Sequence, residues 1–174
     1  PTTADALQPV TAGGKDAFVA VLDPAVLDLE YATLFGGTGD DHISHARVGA
    51  HGVVTLVGYT SSFADFPLKN AFQDRHGGGA TDSFVAQLRP DGSEDQLLYS
   101  TYLGGNGADS RDAALYSNDV AVAPDGRLAV FIESLSSDLR LADPLQGQPR
   151  AGFDGYLVIL DPRLGPGVQL QYAT

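Results

Sequence analysis

One phrase recurs almost three times along this chain, and whatever the chain folds into must accommodate it each time. Residues 81–105 read TDSFVAQLRPDGSEDQLLYSTYLGG, residues 15–37 read KDAFVAVLDPAVLDLEYATLFGG, and residues 153–174 read FDGYLVILDPRLGPGVQLQYAT. A repeat of this length marks one supersecondary unit used over and over. In each copy an acidic residue, Asp16, Asp82 or Asp154, opens an apolar run that a proline closes at Pro24, Pro90 or Pro162. Proline cannot donate to a ladder, so each run is a strand with a hard stop. A second strand follows the turn, with large residues alternating at Leu29, Tyr31, Thr33 and Phe35 and again at Leu97, Tyr99, Thr101 and Leu103. The pair reads as a β-hairpin.

The first strand of that hairpin is apolar on both faces: Phe18 and Ala20 point one way, Val19 and Val21 the other. A strand apolar on both sides is covered on both sides. An antiparallel sheet sandwiched between like sheets is one blade of a β-propeller, and a single copy cannot bury its surfaces without a neighbour. The hairpin is preceded in each full copy by a turn-linked strand pair, with His51-Gly52 as one turn and Asp125-Gly126 as the other. Asp16 to Asp82 is 66 residues and Asp82 to Asp154 is 72, while residues 1–15 correspond to 67–81.

The expected fold is therefore all-β, built of four-stranded antiparallel blades as an open segment of a larger propeller. About two and a half blades are present: a half blade at 1–37, a full blade at 38–103 and a more divergent full blade at 104–174. Strands are predicted at 17–22, 29–35, 44–49, 53–60, 83–88, 97–103, 118–123, 127–133, 155–160 and 168–173.

Composition agrees. Twenty-one Gly and ten Pro, against eight Phe, seven Tyr and no Trp, suit many short strands and turns. The formal net charge of −12 argues against nucleic acid and anionic membrane surfaces as partners, since no cluster of Lys and Arg could neutralise phosphates. With no Cys, disulfides, thiolate catalysis and thiolate metal sites are excluded. No run reaches the ~18 apolar residues of a membrane helix. The chain opens on Pro1 and contains no Met, which predicts a processed product or a piece of something longer.

Candidate chemistry is sparse. Gly39-Asp40-Asp41 and Gly107-Ala108-Asp109, the latter with Asp112, are acidic turns that offer oxygens to Ca²⁺ but lack the D-x-D-x-D-G spacing. Asp also suits turns for its own sake, because its side chain satisfies nearby amides. His42 and His45, with Asp41 and His51 nearby, form a His-x-x-His pair suited to Zn²⁺. Counted from the Gly-Gly pairs, however, the following unit has Ser110 and Ala113 at those positions. His76, in HGGGA, reads as solvated. The tyrosines Tyr31, Tyr99, Tyr102 and Tyr172 read as blade packing, and Tyr116, without a repeat partner, as the one exposed-aromatic candidate. No G-x-S-x-G, P-loop or dinucleotide fingerprint is present. No catalytic, cofactor-binding or metal residue is assigned.

The phrases DAFVAVLDP at 16–24, LLYSTYLGGNGAD at 97–109, GYTSSFADFP at 58–67 and PTTADALQ at 1–8 resemble the bacterial β-propeller repeat family called SBBP repeats. In that family DAFVAKLDP, YSTYLGG, GYTSS and DFPTT recur blade after blade. The resemblance spans nearly the whole chain and is sharpest over 38–103. In the last unit FIESLSSDLRLADPLQ stands at 131–146 in place of the GYTSS and DFPTT phrases. Membership implies extracytoplasmic bacterial proteins, secreted, periplasmic or on the cell surface, with no shared enzymatic activity. The expectation that follows is a non-catalytic structural or protein-interaction segment, whose partners are further blades from a longer polypeptide or another subunit. A ligand-binding or hydrolytic propeller completed by the other blades, and a calcium-stabilised adhesin module, are the alternatives.

Overall fold

Each apolar run between an acid and a proline is a strand. The computed structural model describes residues 1–110, 118–149 and 152–174. Its strands are β1 (Ala17–Leu22), β2 (Leu29–Phe35), β3 (Asp41–Val48), β4 (Val54–Thr60), β5 (Asp82–Leu88), β6 (Leu97–Leu103), β7 (Asp119–Val122), β8 (Leu128–Ser134), β9 (Asp154–Leu160) and β10 (Leu170–Ala173). The only helical turn among the described residues is the 3-10 segment Ala50–Gly52, where His51 and Gly52 both have positive φ, as a tight β3–β4 reversal requires.

The strands form three antiparallel sheets. β1 and β2 make a two-stranded sheet, β3-β4-β5-β6 a four-stranded one, and β7-β8-β9-β10 another. The fold is all-β with open four-stranded antiparallel sheets, in the order the repeat requires. β1, β2 and β6 have the expected bounds, most of the other ends move by a single residue, and two starts move further. β3 starts at Asp41, because Asp41, His42 and Ile43 pair with Thr60, Tyr59 and Gly58 across a register shift before His45. β10 starts at Leu170, not 168.

The hairpin register is copied faithfully. Val21, Gln87 and Ile159 lie opposite Tyr31, Tyr99 and Tyr172 in the three sheets. Alternation then fixes which side chains face which neighbour. In the second sheet Leu56, Phe84, Ala86, Leu88 and Tyr102 pack with Val19 and Phe35 of the first hairpin around Phe66. On the opposite face Val57, Val85, Tyr99 and Leu103 pack with Val120, Leu128, Val130, Ile132, Tyr156, Val158 and Leu160 of the third sheet. β5 is thus apolar on both faces because it has a sheet on each side. Phe84 sits among Phe35, Phe66 and Tyr102, with ring centroids of Phe66 and Phe84 4.8 Å apart.

Position decides what this packing contributes. Phe84→Ala should cost about 3–5 kcal/mol through the cavity left between two sheets, whereas Phe18→Ala, at the same repeat position but half exposed, should cost less than about 1 kcal/mol. Urea unfolding of the two variants measures the contrast, and equal losses would contradict the sandwiched arrangement.

Candidate functional site at the sheet junctions

The polar groups that recur in the sequence converge where one hairpin hands over to the next sheet. After β2 and after β6 the chain makes a Gly-Gly turn, and a buried carboxylate four residues on collects its amide. Gly37 N–H donates to Asp41 Oδ2 at 2.8 Å, and Gly105 N–H to Asp109 Oδ2 at 2.7 Å. A serine just beyond the second strand that follows, β4 or β8, closes each turn. Ser62 Oγ donates to Asp41 and accepts from Gly39 N–H, while Ser136 Oγ donates to Asp109 and accepts from Gly107 N–H. Asp65 and Asp138 accept from Thr38 N–H and Asn106 N–H in the same two turns. The acidic turns are therefore internal scaffolding: their carboxylates spend lone pairs on turn amides and hydroxyls. Asp40 is exposed, with Oδ1 accepting from Lys15 N–H and Oδ2 lying 3.7 Å from Lys15 Nζ.

A glutamine links this turn to the acid that opens the hairpin. Gln8 Nε2 donates to Asp16 Oδ2, and Gln73 Nε2 to Asp82 Oδ2 at 2.9 Å. Their carbonyls accept from Gly36 N–H and Gly104 N–H, both at 3.0 Å. Gly104 is obligatory, since a Cβ there would lie 2.5 Å from Asp109 Oδ2 and 2.6 Å from Asp82 Cγ. The two carboxylates flank one glycine, both wholly buried. Burial is the largest influence on each and pushes both upward; in Asp82 it is reinforced by the negative charge of Asp109, and the carboxyl is raised to about 7. The hydrogen bonding agrees: Oδ2 of Asp82 takes both donors, from Gln73 and Gly77, and leaves Oδ1 for the proton. Asp41 is raised by burial as well.

The structure corrects the reading of His76 as solvated. Its side chain is buried, 3.3 Å from Asp82 Oδ1, with the ring stacked on Phe63 at 3.9 Å between centroids and edge-on to Tyr102 at 5.7 Å. Nδ1 accepts from Gly78 N–H at 3.2 Å, which requires a neutral ring, and burial lowers its proton affinity accordingly. The residues that make this pocket come from three separated stretches, so the Gly-rich setting of His76 concealed them.

The His-x-x-His pair lies on one face of β3, because the register shift between Ile43 and His45 restores the parity of His42 and His45. The two rings are engaged differently. His42 stacks on Tyr59, and His45 Nδ1 lies 2.7 Å from the Asn118 carbonyl in the third sheet. His51 is in the exposed reversal. Counted back from Gly52 and Gly126, the structural counterpart of His45 is Asp119, not Ala113. Among the described residues no group of three or more His, Asp or Glu side chains is arranged to hold a metal ion. Asp112, Ala113 and Tyr116 lie outside the described residues. Tyr31, Tyr99 and Tyr102 are buried between sheets, with the Tyr102 hydroxyl pushed up to about 12, chiefly by burial, and donating to the Ser62 carbonyl at 2.6 Å.

Sequence reasoning missed Ser62, Ser136 and the glutamines. The signal was present: Gln8, Gln73 and Gln146 each stand eight or nine residues before the acid that opens a hairpin.

The outermost faces form the other candidate site. Phe18 is 51% exposed where Phe84 is fully buried, and Leu157 is 38% exposed where Val85 is fully buried. Phe131, opposite Leu157 in the register, is 41% exposed. Beside them a cleft of about 520 Å³ is lined by Ser134, Leu139, Leu145, Pro149, Asp154 and Leu157. Pro149 stands there at the repeat position of His76. No protein-family model matches the chain, and no curated protein matches it.

The buried acids make stability depend on pH in a definite direction. Between about pH 4, where an unfolded Asp ionises, and about pH 7, where Asp82 does in the fold, the native state holds a proton that the unfolded chain has lost. Stability should therefore fall as pH rises through this window. Asp41 and Asp109 act in the same sense, while His76 acts oppositely, its contribution being lost as pH falls below about 6.5. Asp82→Asn keeps the acceptor for Gln73 and Gly77 without the charge. At pH 8 it should be more stable than the parent by about 1–3 kcal/mol, with little difference at pH 5, in thermal or urea unfolding. A parent chain equally stable at both pH values relative to Asp82→Asn would contradict a protonated Asp82.

Proposed function

We propose that this chain is a non-catalytic structural and protein-interaction segment of a β-propeller, in a bacterial cell-surface or secreted assembly of the kind its repeats resemble. Its sheets act as blades, and its work is to stack against further blades and hold loops in fixed positions. The single observation that carries this reading is positional. The same repeat residue is buried where a neighbouring sheet is present and exposed where one is not: Phe84 and Tyr156 against Phe18, and Val19 and Val85 against Leu157. A sequence that keeps a core residue at an exposed position is built for a neighbour there, since contiguous apolar surface beyond a few hundred Å² marks an interaction site.

The polar chemistry supports the same role. Asp41, Asp82, Asp109, Ser62 and Ser136 are turned inward on backbone amides and on one another, where they fix the turns. Residues so committed position loops and are withdrawn from solvent.

Bare faces have a measurable consequence. In isolation the 174-residue chain should self-associate with rising concentration in light scattering and should bind an apolar dye. Phe131→Ser combined with Leu157→Ser should suppress both while the fold is retained by circular dichroism. A monodisperse parent monomer with no dye binding and a cooperative melt would refute the reading.

A further inference from the structure

The two junctions inside the chain are closed by the same polar clasp. At the first, the Tyr31 hydroxyl donates to Gln96 Oε1, and Gln96 Nε2 donates to the Asp5 carbonyl at 2.8 Å. At the second, the Tyr99 hydroxyl donates to Gln169 Oε1 at 2.9 Å, and Gln169 Nε2 to the Asn70 carbonyl at 2.7 Å. The parts correspond one to one. Tyr31 and Tyr99 hold the same place in the hairpin register. Asp5 and Asn70 each stand three residues before the glutamines Gln8 and Gln73. Gln96 and Gln169 each accept a turn amide through their own carbonyl, from Arg89 and Asp161. In each clasp one sheet supplies the hydroxyl and the carbonyl, and the next sheet supplies an amide side chain that satisfies both. All four side chains are buried. A buried hydroxyl and amide that must find each other fix the register of two sheets, because any slip strands both.

The third sheet holds the first half of another clasp. Tyr172 lies opposite Ile159 as Tyr99 lies opposite Gln87, and Asp143 occupies the place of Asn70, with the same left-handed backbone, φ 50 at both. Tyr172 is half-buried where Tyr31 and Tyr99 are buried, and its hydroxyl meets no partner among the described residues. By alternation Tyr172 shares a face with Leu157 and Phe131, and the cleft beside them is lined by Leu145, which is 90% exposed where Phe72, its counterpart in the second unit, is 7% exposed against the third sheet.

We infer that this face docks one further four-stranded unit of the same repeat, whose glutamine just before its last strand closes on the Tyr172 hydroxyl and the Asp143 carbonyl. The inference rests on the blade reading above and deepens it by naming the group that recognises the neighbour. A second copy of this chain presenting its own free face is the poorer occupant. The position of Gln96 and Gln169 is held on that face by Asp28, whose carbonyl likewise accepts the turn amide of Asp23. A carboxylate can accept from a tyrosine but has no N–H for the carbonyl, and would bury a charge.

The test extends the full chain in phase. Thr101 Oγ1 accepts Gln73 N–H as Thr174 Oγ1 accepts Gln146 N–H, so residues 102–174 joined once more after Thr174 continue the repeat in register. In this extended chain the β9 and β10 amides should gain about tenfold or more in hydrogen-exchange protection. Tyr172→Phe and Gln→Leu at the appended copy of Gln169 should each lower stability. A double-mutant cycle should couple them by about five- to tenfold in the unfolding constant, the size of one buried hydrogen bond. In the 174-residue chain Tyr172→Phe should change nothing, whereas Tyr99→Phe should destabilise it. If the added unit shields Leu157 and Phe131 but the cycle shows no coupling, the clasp is wrong and the blade reading survives. If the added unit folds and leaves them exposed, both fall. Self-association of the 174-residue chain through its bare apolar residues, indifferent to Tyr172→Phe, is what a missing unit predicts; a discrete dimer that shields this face and is broken by Tyr172→Phe would assign the face to a second copy and overturn the proposal.

Discussion

Everything in this structure follows from a sheet that is apolar on both sides. One four-stranded sheet of this kind leaves Phe84, Ala86 and Leu88 bare on one face and Val57, Val85 and Leu103 bare on the other, and neither set can fold back on itself. Burying a large apolar side chain contributes about 1.5–3 kcal/mol, so the sheets associate face to face, and the apolar clusters belong to pairs of sheets instead of to any one of them. The unit of stability is the junction.

Apolar faces alone would slide. What holds the sheets at fixed offset is a set of buried polar contacts that the repeat carries with it: carboxylates gripping Gly-Gly turns, glutamines tying those turns to the acid of the hairpin, and tyrosine hydroxyls reaching across to a glutamine of the next sheet. Each is costly unless complete, because a buried donor or acceptor left alone forfeits its hydration. Asp82 shows the limit of the arrangement. Two carboxylates beside one glycine cannot both stay ionised in a dry site, and a proton retained near neutral pH relieves the conflict.

Most of the strand pattern was legible because it is periodic and punctuated. β1, β2 and β6 have the bounds that alternation and proline placement require, and the sheet order follows from the repeat. The start of β3 was hidden by its irregularity before His45, since a shifted register breaks the period on which strand reading depends. The junction chemistry was less legible, for a different reason. Asp82 and Asp109 are 27 residues apart and meet only across Gly104. His76 owes its burial to Phe63 and Tyr102, which no local window contains. Recurrence of Gln8, Gln73 and Gln146 was visible, but what each glutamine touches is a property of the folded turn.

The positional exposure of the repeat also sets how such a stack comes apart. A sheet with neighbours on both sides has two junctions to break, and a terminal sheet has one, so opening begins at the outermost hairpins and moves inward as a front. β1 and β2, with one neighbour and only two strands, form the weakest link, and the second sheet is the last to yield. Resistance to unravelling in such an array therefore depends on how many sheets stand between a given strand and the nearest free face, much as in a row of books the end volumes fall first.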